Sequence, residues 1–172
     1  MNIFFLDHDT ELCAQSHYDI HVSKMILETA QLLSTAHHLA DSPVREIVYK
    51  MTHKNHPSSV WVRESKSHYE WLFELFCELN REFRYRRGKD HLSWVKLKEH
   101  LSVPPELPQN GWMRDPPQCM PDQYRNQDSL EAYRTYYAQG KHHLHAYTKR
   151  QQPSWMNEQN LSPLNNERMV YV

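Results

Sequence analysis

The chain predicts a mainly α protein, folded as one compact helical bundle with a short N-terminal extended arm and a long Pro-rich loop. Three observations lead there. Two long stretches repeat apolar residues at helical spacing, strand-like alternation is nearly absent, and cap and stop residues flank the periodic segments.

Residues 2–6 read as a short strand or an extended arm packed on the core. The first helix starts between Glu11 and Ile20, runs to about Ala40 and is broken by Asp41-Ser42-Pro43. Pro57 suits the first turn of a second helix, which spans roughly Ser58 to Arg87 and stops at Gly88. A shorter helix is predicted over Asp90 to Leu101. Six of the ten prolines then lie between Pro104 and Pro121, a long loop carrying Trp112, Met113 and Met120. Asp128-Ser-Leu-Glu131 has the form of an N-terminal cap and opens a last helix through about Arg150. Residues 1–150 therefore read as one helical domain. Residues 151–172 read as a polar tail with Trp155 as an isolated anchor.

Bulk properties exclude several function classes. A net charge of −1 gives no global basic excess, so broad electrostatic binding of nucleic acid is not signalled, although a local basic face stays open. Cys13, Cys77 and Cys119 are odd in number and widely spaced, which suits a reducing cytoplasm without disulfides or a cysteine zinc site. The apolar start, Met1 to Leu6, is too short for a signal peptide or a membrane span. With three glycines and no Gly-x-Gly-x-x-Gly or Walker pattern, phosphate-cradling loops are absent. No cofactor is implied, and a homo-oligomer is left open. Thirteen histidines and fifteen Trp plus Tyr suit proton transfer near neutrality and stacking on planar ligands.

The first helix carries a polar line of His17, His21, Lys24, Glu28, Gln31, Thr35 and His38. Alternating steps of four and three keep them within an arc of about 120°. Between Ile20 and Ala40 the only formal charges are Lys24 and Glu28. That suits a buried helix whose polar edge lines a pocket, against the alternative of a thin solvated face. Glu28, Lys24 and His21 form a workable acid/base set, or a plain i,i+4 surface pair.

His53-Lys54-Asn55-His56-Pro57 places two imidazoles and an amide before a helix N-terminus, with Arg63 and Ser65 within two turns. His53, Asn55, His56, Arg63 and Ser65 are candidate phosphate or ligand contacts; turn and cap chemistry is the alternative. Spacing places no third ligand beside His17 and His21, so no metal site is predicted. The run Arg81, Arg84, Arg86, Arg87 and Lys89 either tracks a phosphate backbone or complements the helix dipole.

Asp19-x-His21-Val22, then five residues, then Glu28 resembles the first-helix pattern of the phage pyrimidine-dimer DNA glycosylase family of the endonuclease V type. Asn55-His56-Pro57 resembles an Asn-His-Pro of bacterial relatives, and Pro153-x-Trp155 falls in matching order. The chain is also similar to small phage proteins sharing the His-Val-x-Lys-Met helix. The resemblance implies an all-α domain acting on DNA in the host cytoplasm. An N-terminal amine, here on Met1, would attack the sugar C1′ to form a Schiff base. Glu28 would be the acid/base group, with His21 at the helix start, and strand cleavage would follow by elimination. An α-amine is less basic than a lysine side chain and so more readily nucleophilic.

Asn2 is too large for efficient removal of the initiator methionine, so Met1 is expected to remain. Leu27 and Thr29 flank Glu28 where the family has arginines. These features frame an alternative expectation. The same pocket would bind or sequester a small nucleotide or nucleotide-derived signal without chemistry.

Overall fold

The computed structural model describes residues 1–160 and is mainly α, with no strand among the described residues. Seven α-helices follow in order: α1 Thr10–Gln15, α2 Asp19–Leu39, α3 Pro57–Glu64, α4 Lys66–Arg87, α5 Leu92–Leu101, α6 Ser129–Thr135 and α7 Trp155–Asn160. Helix α2 runs through the middle and packs on α3, α4 and α5, while α1 packs on α4. Its apolar sides supply Val22, Met25, Ile26, Leu32 and Leu33 to the core, which α4 meets with Leu72, Leu75, Phe76 and Leu79. Residues 3–6 adopt neither helix nor strand, yet Ile3, Phe4, Phe5 and Leu6 are all buried.

The predicted first helix is two. Asp9 accepts from Leu12 N–H to start α1, and the chain turns at Ser16–Tyr18 before α2. The carbonyls freed by that corner are taken by the buried guanidinium of Arg86, which donates to Gln15 O and His17 O at 3.0 and 2.9 Å. The predicted helix over 58–87 also divides. Ser65 is fully extended (φ −153°, ψ 144°) and caps α4 by accepting from Ser67 N–H, while its hydroxyl donates to Gly111 O. As expected, α4 ends at Gly88, whose φ of 74° is the left-handed conformation that favours glycine. Helix α5 begins at Leu92 rather than Asp90, because His91 caps it and the Asp90 carboxylate accepts from Asn80.

Asp128 caps α6 as its spacing suggested, accepting from Leu130 and Glu131 N–H. That helix stops after two turns instead of reaching Arg150. A wide turn over Tyr136–Gly140 follows, then a short 3-10 turn at His142–Leu144. Thr148 is claimed by α2: its N–H and hydroxyl both donate to the Asp19 carboxylate. The predicted tail runs past the described residues. Within them, Trp155 and Met156 are buried, and the Arg134 guanidinium lies 5.2 Å from the Trp155 ring centre.

Arg86 also donates to Glu82 at 2.7 Å and Asp19 at 3.0 Å, and Arg150 reaches Glu82 from the other side at 2.8 Å. Removing one partner of such a buried set leaves its charge unmatched, so Arg86→Ala is expected to destabilise the fold by about 3–5 kcal/mol. Urea denaturation followed by circular dichroism measures this. A loss below about 1 kcal/mol, the range of exposed ion pairs, would contradict the bracing role.

Candidate functional site

The polar line on α2 does not face one environment. His17 is buried and donates Nδ1–H to Cys13 O at 2.7 Å. His21 is buried against Phe4, rings stacked at 4.6 Å, with Nδ1 2.8 Å from the Tyr137 hydroxyl. Thr35 exchanges hydrogen bonds with the Thr52 backbone, and His38 bonds Tyr49 O. These four hold neighbouring segments in place. Lys24, Glu28 and a half-buried Gln31 remain, and of the two charged groups Glu28 is the enclosed one, its side chain 15% exposed against 61% for Lys24.

Glu28 meets the start of the chain. Its Oε2 accepts from Asn2 N–H at 3.1 Å and lies 3.8 Å from the Met1 amine, while Oε1 is 3.6 Å from Lys24 Nζ. The Met1 side chain is 3% exposed, so burial of its thioether end fixes where the amine sits. Asn2 is clamped as well. Its Nδ2 donates to Cys119 O at 3.0 Å, and its Oδ1 accepts from Ile3 N–H at 2.8 Å and lies 2.9 Å from the Tyr133 hydroxyl.

His56 caps α3 through Nδ1, which accepts from Ser58 N–H and leaves Nε2 free of that task. Burial first, then the N-terminal ammonium and His53, hold its pKa below the usual imidazole range, and Glu28 opposes them. His56 therefore belongs to the field of the amine–Glu28 pair. His53, at a left-handed φ of 47°, bonds Thr52 and is exposed, as is Asn55. Arg63 donates to Lys54 O at 2.7 Å and braces this turn from below. Ser65 does not join the cluster, since its hydroxyl is committed to Gly111 O.

The structure thus brings Met1, Lys24, Glu28 and His56 together and places His21 and Ser65 in structural roles. Asn2, Tyr133 and Cys119 enter from segments that no periodicity connects. The one sequence signal for them is the adjacency of Asn2 to Met1. Among the described residues, no group of three or more His, Cys, Asp or Glu side chains is placed to hold a metal ion. A cleft of about 780 Å³ lies elsewhere, between Arg114–Gln118 and Arg125–Ser129.

An enclosed carboxylate 3.8 Å from a primary amine can take a proton from it and so support attack of the amine on an electrophilic carbon. Comparison of the chain with known protein families, with curated proteins and with solved structures finds no match in any of the three.

Burial pushes the pKa of His17 and His37 down from 6.5 to about 4, and burial with neighbouring cations pushes His21 down to about 3. All three are neutral in the folded protein near pH 7. The unfolded chain takes up these protons near pH 6.5 while the folded chain does not. Stability from this source is therefore full above pH 6.5, falls as the pH drops toward 4, and levels off below about 3. Each unit is about 1.4 kcal/mol, so the combined loss is several kcal/mol. Urea midpoints measured across this range should fall, and His21→Gln should flatten the slope. A midpoint independent of pH would show that the imidazoles are not held neutral.

Proposed function

We propose that the protein is a DNA-base-directed enzyme of the glycosylase and abasic-lyase type, with Glu28 as acid/base and the Met1 amine as nucleophile. One observation carries this reading: the amine and the carboxylate lie 3.8 Å apart at an enclosed position, ion-paired across 27 residues of sequence. An exposed pair at that separation would contribute little, but here the buried Met1 side chain and the Asn2 clamp hold both groups in register.

The chemistry follows from the pair. Glu28 takes a proton from the ammonium and frees its lone pair. The nitrogen adds to C1′ of the sugar as the bond from C1′ to the base breaks, the base leaving with the bonding electrons and taking up one of the two protons left on the nitrogen. Glu28 then returns its proton to the ring oxygen as the sugar opens to the imine. Loss of a C2′ proton expels the 3′ phosphate and cuts the strand. His56, with the turn at His53–Asn55 that Arg63 braces, would contact a flanking phosphate or the sugar. Displacement of the base from its stack is the usual way such a small site reaches its target.

A second reading, capture of a small nucleotide at the same place without chemistry, draws on the net charge of −1, which gives duplex DNA little general attraction. Mass spectrometry of ligand released on heating the purified protein would recover an intact nucleotide under that reading.

Borohydride trapping on abasic and dimer-containing DNA at low salt tests the enzymatic one. The wild type should form a covalent adduct whose sequencing places it on Met1. Glu28→Gln should lose roughly 100-fold or more in strand cleavage, in line with removal of a general acid/base. Absence of both adduct and cleavage in the wild type would refute the enzyme.

A further inference from the structure

The basic run at the end of α4 is sorted by the fold. Arg86 is buried in the Glu82–Asp19 brace, Arg81 pairs with Glu78, and Arg84 lies 3.7 Å from Asp90. Arg87 and Lys89 are exposed, and among the described residues neither has an ion-pair partner. Both open onto a cleft of about 650 Å³ between the first turns of α2, the end of α4 and the segment at Leu144–Ala146. Lys24 completes its cationic rim.

The floor of this cleft is apolar, formed by Ile20, Phe83 and Leu144. Ile20 is 52% exposed there, so the cleft presents apolar surface beside two unpaired cations. The one carboxylate in the lining, Asp19, is neutralised by Arg86 and by both donors of Thr148. The cleft is therefore locally cationic in a chain whose net charge is −1. A lone phosphate would leave the apolar floor unused, and an apolar ligand would leave the cations unused. A chain of phosphates joined by sugars and bases matches both.

We infer that this cleft binds the phosphodiester backbone of one nucleic-acid strand, leading it over Lys24 toward Glu28. Lys24 belongs to both places: it lines the cleft and lies one helical turn from Glu28, at 3.6 Å. The inference rests on the proposed function for the identity of the polyanion. It adds the path by which a long substrate is held.

Fluorescence anisotropy of labelled single-stranded and duplex oligonucleotides on the full chain tests this. The wild type should bind at least one of them, and which one identifies the source of the strand. Arg87→Glu with Lys89→Glu should weaken that binding by roughly tenfold or more, and should reduce the salt slope by about two phosphate contacts. Arg87→Gln with Lys89→Gln, a milder change at exposed positions, should give a smaller loss in the same direction. Lys66→Glu with Lys96→Glu, an equal charge change away from the cleft, should stay within about twofold of wild type. Three results overturn the cleft: no binding by the wild type, no loss in the Arg87 and Lys89 variants, or an equal loss in the Lys66 and Lys96 variant. Strand binding lost only in the Arg87 and Lys89 variants, without borohydride trapping, upholds the cleft and refutes the enzymatic reading. Trapping without that loss refutes the cleft alone.

Discussion

The buried guanidinium of Arg86 is the constraint on which the arrangement depends. One planar group satisfies the carbonyls of Gln15 and His17, pairs with Asp19 and Glu82, and so ties the last turn of α4 to the corner between α1 and α2. A charge taken out of water is tolerated only when its donors and counter-charges are matched, and here both are. The corner decides where α2 begins. The start of α2 in turn sets which of its residues face the core and which face the first residues of the chain. Asp19, held by the same guanidinium, also draws in Thr148 and shapes one wall of the cationic cleft.

The electrostatics of the site follow from this packing. Burial removes charge from His17, His21 and His37, so three imidazoles that look titratable in sequence behave as neutral hydrogen-bonding rings. The charge left near α2's exposed edge is that of Glu28, the amine and Lys24. An enclosed carboxylate between two nitrogen cations is a small, strongly polar feature on an otherwise apolar helix. The Asn2 carboxamide, bonded to the Cys119 carbonyl and beside the Tyr133 hydroxyl, keeps it from relaxing into solvent.

Much of the bundle was legible because its signals are local. The Gly88 stop, the Asp128 cap and the helical spacing of Leu72, Leu75, Phe76 and Leu79 each act within a few residues. The breaks at Ser16–Tyr18 and Ser65 were not legible, since their backbone partners come from Arg86 and Gly111, far away in sequence. The early end of α6 has the same origin, because Thr148 and Ala146 bond the first turn of α2 instead of continuing a helix. At the site, Glu28 stood out as one of two charges between Ile20 and Ala40, and His56 stood out beside Pro57. Asn2, Tyr133 and Cys119 carried no pattern, because three separate segments supply them.

Sequence alone determined the helical class, the order of the main helices and the isolation of Lys24 and Glu28 on α2. Those properties rest on periodicity, caps and composition, which are written along the chain. Only the tertiary structure decided that His21 is a neutral packing ring and that Arg86 is a brace. It alone joined Glu28 to the amine, and left Arg87 and Lys89 free above an apolar floor. Burial and pairing are properties of neighbours in space, and a side chain's charge and reach depend on which neighbours the fold supplies.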